Sequence, residues 1–214
     1  MLTREHKEER LGHITASRVD PLLGSPRSKS KDWTDTAESY LMQKLHEIVT
    51  GEVEEEFDSR ATKWGNKYEP IALAEYEQAT GVTVERVGFV PHPIIPLCGC
   101  SPDGLIGTDG MVQTKCPFNG QNHMRTAKYK VVPKKYIAQV QMELWVCGRK
   151  WNDYVSFDPR VKYPWLRLVI VRVERDVEVM ERIEDAVNRG VEWLLQSLTE
   201  LKLKLVIGGD GNVE

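Results

Sequence analysis

The stretch Cys98-Gly-Cys-Ser-Pro-Asp-Gly-Leu-Ile-Gly-Thr-Asp-Gly-Met-Val-Gln-Thr-Lys-Cys-Pro117 predicts a β-hairpin with chemically active side chains beside it. Two short apolar runs flank the Gly-Thr-Asp-Gly at 107–110, which is typical of a tight turn between antiparallel strands. Asp103 comes at the end of one strand, just before the turn, whereas Gln113 and Lys115 stand two apart on the return strand and therefore share one face. A carboxylate, an amide oxygen and an ammonium group are thus predicted to converge at one edge of a sheet.

That trio of groups suits the hydrolysis of a phosphodiester. Mg²⁺ prefers carboxylate, carbonyl and water oxygens, polarises a phosphoryl oxygen and lowers the pKa of bound water. A neighbouring lysine can position or deprotonate the water and offset the negative charge that develops on phosphorus. The alternative is structural: Asp103 shapes a turn, and Lys115 extends from the strand to solvent. Spacing alone leaves both possibilities open, because similar strings arise often by chance.

Outside this stretch, helical and extended patterns alternate along the chain. The first 24 residues are expected to form a helix that runs into a turn, and helical spacing of apolar residues predicts helices over 37–49, 61–79, 133–146 and 177–202. Short runs of Val, Ile and Phe predict several strands within 82–117 and two more at 151–157 and 166–174. Residues 25–36 have the composition of a loop. Because the last helix carries one apolar stripe, we expect it to dock on the core. The order of elements indicates a mixed α/β fold.

The composition indicates one soluble domain. A chain of 214 residues with 41% apolar residues can bury a substantial core, and we expect a single domain over 1–206 with a flexible tail at 207–214. No apolar run is long enough to span a membrane, and residues 1–10 lack a signal peptide's apolar centre, so an intracellular protein is expected. The acidic run at 52–58 is expected to face solvent. A formal net charge of −3 argues against a nucleic-acid partner, unless positive charge is concentrated along one channel.

The cysteines, histidines and tryptophans suggest no further reactive site. We expect all four cysteines to be reduced and structural, because the spacing of Cys98 and Cys100 does not suit a zinc knuckle. The five histidines are dispersed, none is assigned a role, and His123 is expected to be solvated. Aromatic residues such as Trp33, Trp64 and Trp145 are expected in the core rather than as base-stacking platforms.

Several segments together resemble a known nuclease family. Asp103, Gln113 and Lys115 are similar to the PD-(D/E)XK nuclease signature, and Pro102-Asp103 reproduces its first half. The segments that carry the closer resemblance are Arg10–Ser17, Ser101–Gly104 with Lys115–Phe118, Tyr136–Gln141 with Trp145, and Phe157–Arg160. In this order, and over roughly residues 8–160, the chain resembles the phage lambda exonuclease and YqaJ-like viral recombinase family.

The resemblance implies a fold, an activity and a set of partners. The fold would be a central mixed β-sheet flanked by helices, the PD-(D/E)XK core. The activity would be Mg²⁺-dependent 5′→3′ exonuclease digestion of double-stranded DNA, with Mn²⁺ as a substitute and two ions per site. It would release 5′-mononucleotides and leave a 3′ strand for phage-type recombination. The implied partners are DNA ends, a single-strand annealing protein and two further copies in a homotrimeric ring, with no membrane, in the cytoplasm of a bacterial host.

The resemblance also assigns roles to individual residues. Asp103 matches the metal-binding aspartate, Thr114 the position whose backbone carbonyl binds metal, and Lys115 the catalytic lysine. Glu69 matches a helix glutamate near the metals, and Gln113 stands where a metal-binding carboxylate is expected. The residues that match the pocket for a terminal 5′-phosphate are Arg10, Ser17, Ser101 and Gln139. A guanidinium, two hydroxyls and an amide are coherent donors for a phosphate. Arg10 and Gln139 could also be ordinary surface residues, and Ser17 a helix cap or turn residue.

Gln113 departs from the family pattern. Its amide can bind a metal through oxygen but brings no charge, so metal affinity should fall. Glu69 could supply the missing charge, the nuclease could be an engineered, weakened form, or the chain could be a DNA-end-binding scaffold without catalysis. Thr114, where the family has an apolar residue, points to natural drift, and we favour weak-to-normal activity. A restriction-type endonuclease of the same superfamily is a further alternative.

Two groups of basic residues could follow a DNA backbone. The first is the basic segment, residues 125–135, which has only neutral residues between its charges. Its cations are Arg125, Lys128, Lys130, Lys134 and Lys135. The second and weaker candidate is the early loop with Arg27, Lys29 and Lys31. Such runs often contact only solvent. Whether these residues contact DNA depends on their position in the fold.

Overall fold

Strands and helices alternate along residues 8–53 and 59–203, the part of the chain that this computed structural model describes. The strands are β1 Ile14–Thr15, β2 Val90–Pro91, β3 Cys98–Cys100, β4 Gly104–Ile106, β5 Gly110–Lys115, β6 Trp151–Phe157 and β7 Leu168–Glu174. The helices are α1 Asp35–Thr50, α2 Arg60–Thr80, α3 Gly120–Tyr129, α4 Lys134–Val146, α5 Pro164–Arg167 and α6 Val177–Glu200. Two 3-10 turns, Ala16–Arg18 and Asp20–Leu23, follow β1.

The main sheet has the strand order β4-β5-β6-β7. The predicted hairpin is confirmed, since β4 and β5 are antiparallel and Ile106 pairs with Gly110. Strands β5 and β6 are parallel, and α3 and α4 form the connection between them. Their register sets Gln113 opposite Tyr154 and Lys115 opposite Ser156. A parallel pair needs such a crossover, and this one carries α4 back to the sheet.

Helices cover both faces of this sheet because its two central strands carry apolar side chains on both faces. Met111 and Tyr154 pack in one cluster with residues of α4. Val112 and Val155 pack in another with residues of α2. Gln113, two residues beyond Met111, therefore belongs to the α4 face of β5. The predicted fold class, a central mixed sheet flanked by helices, is confirmed.

A smaller sheet, in the order β1-β3-β2, joins the N-terminal segment to the strand that precedes Asp103. Ile14 pairs with Cys98 in parallel orientation. Ile14 also belongs to the largest cluster of buried side chains, together with residues of α1, α4 and α6. The apolar stripe of α6 is buried from Met180 to Leu198, which confirms that this helix docks on the core.

The helix that was predicted to run into a turn within residues 1–24 reaches only Glu8 in the described part; residues 9–12 form a turn, and a strand and two 3-10 turns follow where the helix was expected to continue. Gly12 has φ of 69°, a left-handed conformation that interrupts a helix. Ile14 and Thr15 then pair with β3, a contact more than 80 positions away along the chain. The apolar residues of this segment face the core through long-range pairing rather than through helical spacing.

Helix α3 was missed because the side chains that it buries are mostly polar. It buries His123, Thr126 and Ala127, so no apolar stripe marks it in the sequence. The prediction that His123 is solvated is wrong, since its side chain is fully buried. The two ring nitrogens contact the Ser156 hydroxyl at 2.9 Å and the Leu166 carbonyl at 2.7 Å. His123 thus bonds α3 to the main sheet.

The other helices, strands and loop predicted from the sequence are confirmed where the structure describes them. The loop at 25–34 and the helices near 37–49, 61–79 and 133–146 are present. All four cysteines are free, and the three tryptophans pack in or against the buried clusters. Most of the acidic run, 54–58, and the tail at 207–214 lie outside the described residues. Within the described ranges, no helix has the length and apolar character that crossing a bilayer requires.

Candidate active site

A cavity of about 530 Å³ opens where the N-terminal segment, α2, β5 and α4 meet. Eight of the nine residues predicted to act in catalysis or in metal or phosphate binding line it. These eight are Arg10, Ser17, Glu69, Ser101, Asp103, Gln113, Lys115 and Gln139. The ninth, Thr114, is joined to the site through its bonds to Asp103. The structure therefore brings together residues that are up to 129 positions apart in the sequence.

Asp103 is held against β5 by three hydrogen bonds to one oxygen. Its Oδ2 accepts from the Gln113 side-chain amide at 2.7 Å and from the Thr114 backbone N–H at 2.6 Å. The Thr114 hydroxyl donates to the same oxygen at 2.7 Å. These bonds fix the carboxylate at the rim of the sheet and leave the other oxygen, Oδ1, for a ligand.

Gln113 and Gln139 form an amide pair that extends this contact into α4. The Gln139 amide donates to Gln113 Oε1 at 3.1 Å and to Glu143 Oε1 at 2.8 Å. Gln113 is only 2% exposed, so its side chain is held between Asp103 and α4. Since a carbonyl oxygen has two lone pairs, Gln113 Oε1 retains one for a cation. Gln139 contacts these residues rather than the other predicted phosphate ligands.

Glu143 is a residue of the site that sequence reasoning missed. It lines the cavity, is 1% exposed, and its Oε2 has no hydrogen-bond partner among the described residues. Burial raises the pKa of Glu143 to about 8, and the negative charge of Asp103 contributes to the same shift. In the sequence Glu143 stands among apolar residues. The feature that could have predicted its place in the site is its position four residues after Gln139, which puts both side chains on one face of a helix.

Glu69 and Arg86 form a further part of the cavity lining. Burial raises the pKa of the Glu69 carboxyl, and the charge of Asp103 raises it further. Arg86 Nη1 lies 3.6 Å from Glu69 Oε1 and donates to the Asp103 backbone carbonyl at 3.3 Å. Arg86 was also missed, because it lies in a segment whose extended pattern has no matching motif. It places a fixed positive charge beside two carboxylates.

Lys115 lies at the end of β5 with its ammonium group over an aromatic ring. Its Nζ is 5.1 Å from the ring centroid of Tyr136, and Lys135 Nζ is 4.7 Å from the same centroid. The shared ring connects the predicted catalytic lysine to the basic segment.

The predicted phosphate pocket is formed by the N-terminal segment and the residue before Pro102. Arg10 Nη2 donates to the Ser17 hydroxyl at 3.2 Å. The buried Ser101 hydroxyl has no partner among the described residues, so it is available to a ligand. The Gly12 backbone N–H, close to Arg10, donates to the buried Glu47 of α1 at 3.0 Å, which attaches this segment to the core.

The sequence matches the YqaJ-like viral recombinase domain over residues 5–150. The chain belongs to the YqaJ-like viral recombinase family. Two solved structures of LHK-Exo, an alkaline exonuclease from Laribacter hongkongensis, are 33% identical to it with a TM-score of 0.83. The alignment covers 94% of this chain and 96% of that one, and one of the two structures contains dAMP.

Two further relatives of this YqaJ-like domain are more distant. A phage related exonuclease from Haemophilus somnus 129PT has a TM-score of 0.70 at 19% identity, over 88% of this chain and 96% of its own, and shows the shared fold. The protein ExoD of Escherichia coli (strain K12) is 27% identical over 77 residues, which is 36% of this chain and 86% of ExoD.

The donor atoms of this YqaJ-like domain fit a hard divalent cation. Within the described residues, no group of three or more His, Cys, Asp or Glu side chains is arranged as a metal cluster. The cavity nevertheless offers oxygens of Asp103, Gln113 and Glu69, together with the unpartnered Oε2 of Glu143. An all-oxygen set with a buried, unpartnered carboxylate oxygen matches the preference of Mg²⁺ and Mn²⁺ over softer metals.

Arg160 braces the chain that leaves the active-site strand. Its guanidinium bonds both oxygens of the buried Asp158 at 2.8 Å. It also donates to the backbone carbonyls of Pro117 at 3.2 Å and Phe118 at 3.0 Å. The Phe157–Arg160 segment thus holds the residues that directly follow Lys115 and Cys116.

The basic segment lies beside the cavity rather than in it. All five of its cations are exposed, on α3, on the link that follows it and on the first turn of α4. None of the five belongs to the lining of the cavity within the described residues. The segment therefore consists of the end of α3, a connection and the first turn of α4.

Proposed function

We propose that this protein is a Mg²⁺-dependent 5′→3′ exonuclease that acts on double-stranded DNA. It releases 5′-mononucleotides and leaves a 3′ single strand for phage-type recombination by strand annealing. The observation that carries the proposal is one cavity that joins Asp103, Gln113 and Lys115 to Arg10 and Ser101. Family membership and the exonuclease LHK-Exo support a nuclease activity, and the dAMP bound to that relative is a mononucleotide of the class proposed as product.

The metal site would be built on β5 and the residue before β4. Asp103, the Gln113 amide oxygen and the Thr114 backbone carbonyl would hold Mg²⁺, or Mn²⁺ in its place, with Glu69 near a second ion. When bound, the cations polarise the phosphoryl oxygen and lower the pKa of water. Lys115 would orient the attacking water, and its positive charge would offset the charge that develops on the phosphate.

The phosphate pocket would set both direction and product. Arg10 can form paired hydrogen bonds to a terminal 5′-phosphate, and the Ser17 and Ser101 hydroxyls add neutral donors. Gln139, which contacts Gln113 and Glu143, would link this pocket to the metal site. A 5′-phosphate held there registers the first nucleotide, so that the next phosphodiester bond is presented for hydrolysis.

The path of the duplex and the partners are part of the same proposal. The five cations of the basic segment would contact DNA phosphates, because Lys135 reaches the same aromatic ring as Lys115. A homotrimeric ring around the duplex and a single-strand annealing protein are proposed from the family resemblance.

The test compares linear duplex DNA with and without 5′-phosphates, and closed circular DNA, each incubated with Mg²⁺ or Mn²⁺. We expect mononucleotides from linear DNA, faster digestion with a 5′-phosphate, and intact circles. Lys115→Ala should abolish most of the activity. Indifference to the 5′-phosphate together with indifference to Lys115→Ala would refute this mechanism, and cut circles would identify an endonuclease instead.

The uncharged residue at 113 favours one alternative, a DNA-end-binding or scaffold protein without catalysis. This alternative predicts that labelled duplex ends bind with ordinary affinity while neither Mg²⁺ nor Mn²⁺ produces any hydrolysis. Gln113→Glu separates the two cases further, because restoring the signature carboxylate should accelerate a weakened nuclease.

A further inference from the structure

The nuclease signature requires a carboxylate at position 113, yet the structure has an amide there and a buried carboxylate one step further along the same chain of bonds. Gln139 Nε2 is the common donor to Gln113 Oε1 and to Glu143 Oε1. Both acceptors line the cavity together with Asp103. The carboxyl group that is missing from β5 is therefore present on α4, next to the position that lacks it.

We propose that Glu143 supplies the anionic ligand charge of the metal site in place of residue 113. The inference rests on the proposed function, since it concerns the same divalent cation. Nothing in the chemistry requires the carboxylate to extend from the strand itself, provided that its oxygen reaches the same cavity. Helix α4 packs on the face of β5 that carries Gln113, so a carboxylate on α4 approaches the site from that side.

The bonding of Glu143 is that of a ligand rather than of a structural residue. A buried carboxylate that serves only to stabilise the fold is normally paired or fully hydrogen-bonded, because an unsatisfied charged oxygen is costly. Glu143 is 1% exposed, Oε1 accepts from Gln139, and Oε2 has no partner in the described chain. An incoming cation would satisfy that oxygen.

Glu69, the other carboxylate that could replace the missing charge, is placed differently. Its side chain is 38% exposed and lies 3.6 Å from Arg86, which already offsets its charge. It belongs to α2, on the opposite face of the sheet from Gln113. Glu143 is the buried carboxylate bonded to the residue that contacts Gln113.

The amide pair has a defined part in this arrangement. Gln139 donates to both Gln113 Oε1 and Glu143 Oε1, so that Oε2 of Glu143, which has no partner among the described residues, would be the oxygen that meets the metal. Gln113 in turn donates to Asp103 Oδ2. The two glutamines are therefore positioning residues that fix two carboxylates relative to each other.

The experiment measures Mn²⁺ binding to the full-length protein by titration calorimetry, with four variants beside the wild type. Glu143→Gln keeps the shape of the side chain and removes its charge. We expect its Kd for Mn²⁺ to rise at least about tenfold, the lower end of what the loss of even an outer contact costs. Glu69→Gln should change the Kd less, and Glu181→Gln, on the exposed face of α6, should not change it.

The decisive variant moves the charge back to the strand. Gln113→Glu combined with Glu143→Gln should bind Mn²⁺ within about threefold of the wild type and recover hydrolysis, whereas a merely structural Glu143 would not be rescued. Thermal unfolding of each variant checks that it folds.

Each outcome separates this inference from the proposed function. Wild-type affinity in Glu143→Gln, or failure of the charge transfer to rescue it, would overturn the role of Glu143 while leaving a metal-dependent nuclease intact. A wild-type protein that binds no Mn²⁺ and hydrolyses no DNA would overturn the proposed function, and this inference with it.

Discussion

Two glutamates in this protein are equally buried but have opposite bonding. Glu47 of α1 and Glu143 of α4 are each 1% exposed. Both oxygens of Glu47 accept from Lys44 Nζ, at 2.8 and 3.0 Å, and Oε2 also accepts from the Gly12 backbone N–H. Among the residues that the structure describes, Glu143 has one bond, on Oε1, and its Oε2 has no partner. Burial alone therefore does not distinguish a structural carboxylate from one that awaits a ligand.

The two carboxyl groups differ in bonding because Glu47 stabilises the fold, whereas Glu143 is proposed to bind a metal. Around Glu47 the buried charge is neutralised within the fold, and its bond to Gly12 anchors the segment that carries Arg10. Around Glu143, in the same cavity as Asp103, the fold retains a buried carboxyl group with one oxygen unpartnered among the described residues, which lowers stability in exchange for a binding site. Variants in the two regions should separate stability from activity.

The largest expected effect is on activity, at Lys115. Lys115→Ala should reduce the rate of hydrolysis by about 10²–10⁴-fold, the usual contribution of a positioned acid–base group, with little change in Tm. Lys135→Ala removes the other cation on the Tyr136 ring and is the matched control, with less than about tenfold loss expected. Single-turnover digestion of 5′-phosphorylated duplex measures both variants. A Lys115→Ala protein that keeps a tenth of the rate would contradict the role.

The next effect is on stability, at Glu47. Glu47→Ala leaves Lys44 buried without its partner and should cost about 3 kcal/mol in the free energy of unfolding. Urea denaturation measures this change. Combining Glu47→Leu with Lys44→Met should recover a large part of it, because an apolar pair needs no charge compensation. If Glu47→Ala unfolds at the wild-type urea concentration, the pair is not structural.

Glu143→Gln should change stability in the opposite direction, and the change should depend on pH. The pKa of Glu143 is raised from its ordinary value of 4.5 to about 8, so between these values the folded protein holds a proton that the unfolded chain has lost. Wild-type stability from this group is therefore present below pH 4.5 and falls as pH rises towards 8. In Glu143→Gln the side chain does not ionise, so this loss of stability with rising pH does not occur.

Thermal unfolding with a chelator at pH 5, 6, 7 and 8 measures this difference. We expect Glu143→Gln to gain at least about 2–4 °C in Tm over the wild type by pH 8, corresponding to about 1 kcal/mol for a chain of this size. Glu47→Gln should lose stability across the same range. If the Tm of the wild type and the Tm of Glu143→Gln change in parallel with pH, the pKa of Glu143 is not raised in the folded protein. That result would contradict the description of Glu143 as a buried carboxyl group that lacks a partner.

The smallest effect concerns DNA affinity outside both regions. Lys128→Ala should lower the slope of log affinity against log salt by about one and weaken binding uniformly across sequences, as the loss of one phosphate contact does. Lys150→Ala is the control, since Lys150 pairs with Asp109 at the end of the sheet away from Lys115. Equal slopes for the wild type and Lys128→Ala would remove that residue from the DNA path.

Sequence reasoning succeeded where the signal is local. The Gly-Thr-Asp-Gly turn and the two-residue period of β5 correctly predicted a hairpin that carries Gln113 and Lys115 on one face. It failed for the segment before residue 24 and for α3. There, Ile14 pairs with a distant strand, and the buried His123 bonds to Ser156 of β6 and to Leu166 of α5. Neither arrangement produces a periodic pattern of apolar residues in the sequence.

The sequence by itself determined the fold class, the family and eight of the residues that line the cavity, because turn chemistry, strand period and matched motifs are properties of neighbouring residues. Only the tertiary structure decided that Arg86 and Glu143 join them, and that Gln113 is held between Asp103 and α4. Those facts depend on which helix packs on which face of β5. Packing also decides how many partners a buried oxygen has, which is what separates Glu143 from Glu47.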